Sequence, residues 1–329
     1  MPLTIPVKVK LKGHFHLTAI NVDTGEERIV ADFDNLIVNQ GLDFIATGGP
    51  AAGGNSVVYY GCVVGTGTTP VAPTDTHLQT FLAGTNSNIS SNVTYNGATS
   101  FSVVTSTTYQ FATGVAAGNL TEIGIVAPAS GQTTGTVPTA TSPLFSHSLI
   151  MVGGSPGTIT ILSNEVLNVV YTITAFPIVT NLTGSFSLNT DGTITTVNYS
   201  LLSAVVGQSG SYSIVNQQHA LINTQSPASD AAYPSTSTLG AVTGKPSGTA
   251  AAFTGGTIAQ AAYTSGNYFL SYTYSIPIGG ANTTTASIGA VSVFAAGPNT
   301  TPLQISFSPA IAKSTSQTFS FVVNVSWSN

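Results

Sequence analysis

Hydrophobic and polar residues alternate along much of this chain, and one alternating stretch occurs twice. In residues 159–173 every second position from 167 onward is apolar, and in residues 311–325 the same holds from 319 onward, each position 152 residues after its counterpart. The two sets are Leu167, Val169, Tyr171 and Ile173, and then Phe319, Phe321, Val323 and Val325. A period of two residues is typical of a β-strand with one buried face. The repetition indicates that part of the chain duplicates another part.

Similar patterns predict further strands, with turn residues between them at intervals of about 8–12 residues. In the first half the predicted strands are residues 7–20, 26–34, 57–65, 93–104, 107–115, 122–127, 144–152 and 159–176. Residues 35–46 are the one place where a short helix is predicted, although Gly41 weakens it. The sequence therefore predicts an all-β fold of antiparallel β-sandwich-like domains with at most one short helix.

The duplication extends beyond the repeated strand. Four residues recur at an offset of 171, namely Pro6, Gly13, Phe15 and Leu17, which match Pro177, Gly184, Phe186 and Leu188. Residues 23–25, 63–65 and 121–124 are echoed more weakly at 191–192, 205–207 and 286–289. This order predicts two tandem domains, residues 1–176 and 177–329. Residues 224–257, rich in Ser, Ala, Gly, Thr and Pro, are either a long surface loop or an insertion ordered by a neighbouring subunit.

Charged residues are scarce and unevenly placed. They make up 5% of the 329 residues, against about 25% in an ordinary soluble domain. The formal net charge is −5, and all of it belongs to the first half, because residues 181–329 contain two acidic and two basic side chains. Such a surface lacks the repulsion that keeps monomers apart, so we expect a homo-oligomer or a larger assembly.

Composition also argues against several classes of protein. No basic patch occurs, so nucleic acid is not an expected partner. No apolar run reaches the roughly 18 residues of a membrane span, and no signal-peptide pattern is present, so we expect synthesis in the cytoplasm without secretory targeting. Cys62 is the single cysteine, and we expect it to be a small buried residue.

Histidines give little support for metal or acid–base chemistry. His14 and His16 lie two apart on a predicted strand, a spacing that can bind metal. The duplicate carries Ser185 and Ser187 there, so we interpret the pair as polar residues of an exposed face. The remaining three, at positions 77, 147 and 219, are each expected to be hydrogen-bonded polar residues.

The acidic residues are equally unlike a catalytic set. Six of the eleven lie within residues 23–43, where we interpret them as a solvated strand edge that opposes aggregation. Glu122 and Glu165 correspond to Ser287 and Gln317 in the duplicate, which favours structural hydrogen bonds. No nucleophile elbow and no phosphate-binding loop occurs. The sequence therefore predicts no catalytic residue, no metal site and no cofactor.

Four tyrosines are the remaining candidates for ligand binding: Tyr263, Tyr268, Tyr272 and Tyr274. Tyrosine among Ser, Asn and Gly is the composition of adaptable binding surfaces, so these residues could bind carbohydrate. The favoured alternative is that the rings pack within strands and keep their hydroxyls at the edge.

Several short segments of the first half carry a family resemblance. They are Asn35-Leu-Ile-Val-Asn39 with Gly41-Leu42, Gly65-Thr-Gly67, Thr74-Asp-Thr76 with Leu78, Thr121-Glu-Ile-Gly124, and the strand at 167–173. In this order they resemble a module of tail-fibre and tail-appendage proteins of tailed bacteriophages. The resemblance covers roughly residues 10–176 and reaches the remainder only through the duplication.

The resemblance implies a structural virion protein made in the bacterial host cytoplasm. Its partners would be other virion proteins, copies of itself, and a cell-surface glycan or receptor. A trimer is expected, because fibres commonly close with cyclic symmetry. The first domain would anchor to the virion and the neutral second domain would face outward. Two alternatives stay open: a capsid decoration protein, and a glycan-depolymerising tailspike enzyme, which the scarcity of carboxylates disfavours.

Overall fold

The computed structural model describes residues 3–47, 60–96, 102–129, 135–176, 180–190, 192–203, 231–241, 246–248, 251–252, 257–279, 288–293 and 303–329. Within these ranges the chain is mostly β-strand, with one helix, α1, at Asn39–Thr47. The strands are β1 (Leu3–Asn21), β2 (Glu27–Ile37), β3 (Gly61–Gly65), β4 (Phe81–Thr85), β5 (Asn88–Asn96), β6 (Ser102–Phe111), β7 (Gly118–Leu120), β8 (Glu122–Val126), β9 (Leu144–Leu149), β10 (Met151–Val152), β11 (Ser155–Pro156), β12 (Ile159–Ile161), β13 (Glu165–Phe176), β14 (Leu182–Thr190), β15 (Thr193–Ser203), β16 (Ala231–Pro234), β17 (Ala251–Ala252), β18 (Thr257–Gln260), β19 (Phe269–Ile276), β20 (Ile288–Val293), β21 (Leu303–Ile311) and β22 (Phe319–Ser328). The all-β prediction is confirmed.

Strand β1 is the longest element and contacts three other strands. Its odd-numbered positions from Ile5 to Leu11 are buried while the lysines between them are exposed, as the period of two requires. Residues 10–21 pair antiparallel with β13, and residues 13–20 pair antiparallel with β2. Residues 3–10, which we call the arm, pair in parallel with β22 at the other end of the sequence. One strand therefore connects the two halves of the chain.

The first half forms a curled antiparallel sheet with the strand order β5-β6-β13-β1-β2-β9-β8-β3-β4. Its apolar faces enclose a core in which the Phe15 ring lies 5.7 Å from Phe33 and 5.1 Å from Tyr171, between ring centroids. Cys62 is buried in this core without a disulfide partner, as expected. The architecture is β-sandwich-like.

The second half repeats this plan. Strands β14-β15-β21-β20-β16-β17 form one sheet, and β18-β19-β22 continue the sheet that contains β1. Phe307 of β21 packs edge-on against Phe319 of β22, with centroids 5.8 Å apart. In chain order, nine strands of each half correspond one to one: β1–β6, β8, β9 and β13 match β14–β22.

One pairing breaks the correspondence between the halves. Each pairing among the nine strands of the first half recurs among their counterparts, except that of β1 with β13. In the second half the counterpart of β13 is β22, which pairs with the arm instead of with β14. The predicted boundary falls between β13 and β14, yet hydrogen-bonded strands cross it. The division into domains 1–176 and 177–329 stays a prediction.

Several predicted boundaries need correction. Residues 35–37 belong to β2 and not to the helix, because Leu36 and Ile37 pair with β9. Gly41 inside the helix has a packing reason: a Cβ there would lie 2.0 Å from the carbonyl oxygen of Phe145. The predicted strand 93–104 falls on two antiparallel strands, β5 and β6, which pair with each other.

Parts of the duplicated half lie outside the described residues. The echoes at 205–207 and at 286–287 fall there, as does His219. The segment 224–257 is described in part, and it contributes two short strands, β16 and β17, to the second sheet. Those residues are therefore sheet rather than irregular loop.

Candidate functional site

Three ionisable side chains meet inside the first half. Strand β8 supplies Glu122, β9 supplies His147, and both side chains are fully buried. His147 Nε2 lies 3.1 Å from Glu122 Oε2, and His147 Nδ1 lies 2.8 Å from Oδ2 of Asp75, which is in the loop before β4. An imidazole with protons on both nitrogens can donate to both carboxylates. We call Asp75, Glu122 and His147 the loop clamp.

Glu122 also binds the backbone of the loop that joins β3 to β4. Its Oε1 accepts hydrogen bonds from the amides of Gly67 (2.9 Å) and Thr80 (2.7 Å), and its Oε2 accepts one from the amide of Gln79 (3.0 Å). Burial acts to raise the pKa of Glu122, but the hydrogen bonds from His147 and the amides outweigh it, so the pKa lies below its ordinary value. The ionised carboxylate holds both ends of the loop.

The position of the Glu122 carboxylate explains why residues 65 and 67 are glycines. A Cβ on Gly67 would lie 2.5 Å from Glu122 Oε1, and a Cβ on Gly65 would lie 2.6 Å from the same oxygen. Real Cβ atoms do not approach an oxygen this closely, so a side chain at either position would displace the carboxylate. The Gly-Thr-Gly sequence is therefore a packing requirement of the loop clamp.

Asp75 fixes the remainder of the loop. Its Oδ2 accepts a hydrogen bond from the amide of Ala72 at 2.9 Å, and the neighbouring carbonyl of Thr76 accepts from the amide of Leu144 at 3.0 Å. The Gln40 side chain of α1 donates to the same carbonyl at 2.8 Å. Leu78 packs on a small apolar cluster that includes Leu144. The loop is thus attached to both the helix and β9.

Three of the five segments that carry the phage resemblance meet at this loop clamp. The segments at 65–67, 74–78 and 121–124 supply Gly67, Asp75 and Glu122. The segment at 35–42 lies next to the loop, where Gln40 donates to the carbonyl of Thr76, and the strand at 167–173 takes no part. Sequence reasoning recognised these segments separately, and it expected structural hydrogen bonds at Glu122 and His147. It missed that Asp75 completes the set, because residues 75, 122 and 147 are far apart in sequence.

The second predicted structural acid, Glu165, pairs with Arg28 of β2. The guanidinium donates to both carboxylate oxygens, at 2.9 Å from Nη2 to Oε2 and 3.2 Å from Nε to Oε1, and also to the carbonyl of Thr160. The amide of Leu162 donates to Oε2 at 2.8 Å. Arg28 holds the pKa of Glu165 below its ordinary value. Both acids that could have been catalytic therefore have structural hydrogen bonds.

The histidines of β1 lie on the outer face of the sheet. His14 Nδ1 is 2.9 Å from Asp34 Oδ1, and His16 Nδ1 is 2.7 Å from Asp32 Oδ2. Lys12 lies 3.0 Å from Asp34 as well. These contacts lower the pKa of Asp32, chiefly through His16, and that of Asp34, chiefly through His14. Among the described residues, no group of three or more His, Cys, Asp or Glu side chains is arranged to hold a metal ion.

Among the described residues, Asp32 and Asp34 lie on a part of β2 that has a paired strand on one side only. Residues 27–35 pair with β1, whereas β9 pairs only with Leu36 and Ile37. Both carboxylates are more than half exposed, as expected of a solvated edge, and they pair with histidine and lysine side chains. The surroundings of Asp43 in α1 differ from the solvated edge that the sequence predicted. It accepts hydrogen bonds from the Tyr263 hydroxyl (2.5 Å), the Ser265 hydroxyl (2.5 Å) and the Gly266 amide (2.8 Å). Asp43 thus attaches the helix of the first half to a loop of the second.

The four candidate tyrosines do not share one exposed surface. Tyr272 and Tyr274 are 4% and 8% exposed, and Tyr274 stacks on Phe321 with centroids 5.1 Å apart. Tyr263 and Tyr268 are half-buried beside the Asp43 contact. Burial and the hydrogen bond to Asp43 raise the pKa of Tyr263. A carbohydrate site at these residues stays a prediction.

Trp327 completes the contact between the halves. Its indole Nε1 donates to the carbonyl of Leu42 at 2.9 Å, and its ring stacks on Tyr263 with centroids 6.0 Å apart. The Asn329 side chain donates to the carbonyl of Ile37 at 2.8 Å. No local sequence pattern predicts the two hydrogen bonds, since their partners are 285 and 292 residues apart.

The fold and the loop clamp define a duplicated all-β protein whose buried ionisable residues hold loops in place. No protein-family model, curated protein or solved structure matches this chain. In the described part of the chain, no helix has the length and apolar character that crossing a membrane requires.

Proposed function

We propose that this chain is a structural, non-enzymatic component of a tailed-bacteriophage virion, placed in a tail fibre or tail appendage. The observation that carries the proposal is that three of the segments resembling phage tail modules, at 65–67, 74–78 and 121–124, meet in one loop clamp. The low charge of the surface suits a part that is packed against other virion proteins.

The proposed role is assembly or host attachment. The protein assembles as a homo-oligomer, for which cyclic trimers are the first expectation, and its further partners are other virion proteins. The charged outer face at residues 12–34 lies in the first half, which anchors to the particle. The second half, which is formally neutral, faces outward, where a cell-surface glycan or receptor would be bound.

A non-enzymatic role is supported by the environment of the acids. Glycoside hydrolysis needs two carboxyl groups about 5–10 Å apart on either side of a bound sugar. Glu122 is fully buried beneath its loop, and Glu165 is 5% exposed and bound by Arg28. Neither carboxylate is open to a polysaccharide.

The test is to locate the chain on particles of the phage that encodes it. Cryo-electron microscopy would be combined with gold labelling at Glu27→Cys in the first half and Thr195→Cys in the second, both exposed positions. Cys62 is buried, so unsubstituted particles are the labelling control. We expect label on the tail or neck at low copy number, with the position-195 label farther from the particle axis.

Other labelling patterns would contradict the proposal. Label spread over the capsid lattice in hundreds of copies would identify a decoration protein instead. Absence of the chain from purified particles would exclude a virion role. Release of reducing sugar from host capsule by the purified protein, abolished by Glu122→Gln or Glu165→Gln, would exclude the non-enzymatic assignment.

A further inference from the structure

The edge strand β14 stands out when the two halves are compared. Among the described residues, β14 pairs with β15 on one side and with no strand on the other. Its counterpart β1 is covered at the equivalent edge by β13 over residues 10–21. In the second half β22 would occupy that place, but β22 pairs with the arm. At the edge that β13 covers in the first half, the second half therefore has no partner among the described strands.

The matched apolar side chains of β1 and β14 also differ in how deeply they are buried. Phe15 and Leu17 are 0% exposed in the first half. Their counterparts Phe186 and Leu188 are only half-buried, although Phe186 packs on Phe307 with centroids 6.3 Å apart. Phenylalanine and leucine thus occupy matching positions of β1 and β14, and only the pair on β1 is fully buried.

The edge also lacks the features that keep strands from pairing. Residues 182–190 contain no charged residue and no proline, and their exposed side chains include Ser185 and Ser187. At the matching positions of the first half, His14 and His16 join a cross-strand cluster of charged residues. Natural proteins protect exposed strand edges with charge, proline or bulges. In this chain the cluster of charged residues lies at β1, which β13 covers, and β14, which has no described strand on that side, carries no charge.

We propose that β14 is a self-association surface that pairs antiparallel with β14 of a second copy of this chain. An isologous contact of this kind is self-complementary and needs no second kind of surface. It would join two six-stranded sheets into one and cover Phe186 and Leu188, as β13 covers their counterparts. The inference does not depend on the virion assignment.

The test introduces lysines at the edge. In Ser185→Lys/Ser187→Lys, like charges would face each other across the antiparallel contact, which destabilises strand pairing. The matched control is Thr196→Lys/Asn198→Lys, which places two lysines on the cross-strand neighbours of the same residues, one strand farther from the edge. Sedimentation velocity and light scattering would be measured at protein concentrations from about 1 to about 100 µM, a range that brackets ordinary dimer affinities.

In place of the cyclic trimer that fibre symmetry suggested, we expect a wild-type dimer whose dissociation constant rises about tenfold or more in the edge variant and stays unchanged in the control. A folded wild-type chain that is monomeric throughout would overturn the proposal. So would an oligomer, trimeric or otherwise, that responds to neither variant or equally to both.

A second measurement does not depend on the lysine variants folding. Single cysteines at Thr183, Ser185, Ser187 and Asn189, all exposed on β14, would be oxidised in otherwise wild-type protein. A two-fold antiparallel contact predicts disulfide-linked dimers with one maximum along this series, because only the position nearest the axis meets its own copy. Uniform or absent cross-linking would refute the β14 contact, and Cys62 is too buried to contribute background.

Discussion

Glu122 offers the sharpest test of how the first half is stabilised. Glu122→Ala removes the acceptor for three loop amides and for His147. A buried donor left without a partner costs about 1–3 kcal/mol. Water entering the space left by the side chain would satisfy part of this loss. We therefore expect Glu122→Ala to lower the free energy of unfolding by about 3–5 kcal/mol, and the isosteric Glu122→Gln by about 1–2 kcal/mol.

The assay is urea denaturation followed by the fluorescence of Trp327, the single tryptophan, together with hydrogen exchange of residues 66–80. Exchange should rise first in that loop, because its amides lose their acceptor. The matched control is Glu27→Ala, an exposed acid on β2 that should change stability by less than about 0.5 kcal/mol. A Glu122→Ala protein as stable as this control would refute the structural role of the loop clamp.

Acid should remove the contribution of Glu122. The pKa of Glu122 is lowered in the folded chain, so its stabilising effect is fully present above the unfolded value of about 4.3. That effect disappears as the pH falls through the lower folded pKa. The difference in the free energy of unfolding between wild type and Glu122→Gln should therefore shrink as the pH falls from about 6 to about 3, a range that brackets the unfolded pKa. A constant difference over this range would contradict the inferred ionised carboxylate.

Three further predictions concern packing and the contact between the halves. Gly67→Ala should destabilise the fold by about 1–3 kcal/mol, because its Cβ would lie 2.5 Å from a carboxylate oxygen of the loop clamp, whereas Gly135→Ala, with nothing within 4 Å, should leave the Tm unchanged. Asp43→Ala should speed hydrogen exchange in residues 263–268 without altering exchange in β8 and β9, and equal exchange in both regions would argue against the contact. Ile5→Ala, at a fully buried position of the arm, should cost about 2–5 kcal/mol and lower the thermal midpoints of both halves together; a shift in one half alone would contradict their coupling.

Much of the fold follows from period-two patterns, and the errors have local causes. The alternation at 167–173 and 319–325 correctly gave the buried faces of β13 and β22. It failed at 93–104, where the alternation of two successive antiparallel strands was interpreted as one strand. It also failed at 35–37, where apolar residues of a strand were assigned to the following helix. Periodicity identifies faces better than it identifies ends.

The site was less accessible to sequence reasoning. Glu122 was expected to be hydrogen-bonded because its duplicate position holds Ser287, and His147 because it is a single histidine, but their meeting with Asp75 depends on sheet register. Asp43 was interpreted as a solvated acid, and its partners lie 220 or more residues away. Long-range pairs such as these leave no trace in a local pattern. A residue type that is unexpected in its place, such as Gly67 beside a strand, is the nearest available signal.

The arm changes what the duplication means for the molecule. Strand β1 pairs with the first half through residues 10–21 and with the second through residues 3–10. Residues 177–329 alone would leave β22 with one uncovered edge, while residues 1–176 alone would expose the arm and its buried apolar face. The repeats are therefore successive in sequence but share a strand in space. Because the arm occupies the place beside β22, no described strand pairs with the outer edge of β14. The coupling of the repeats within one chain thus gives the edge that we propose for self-association.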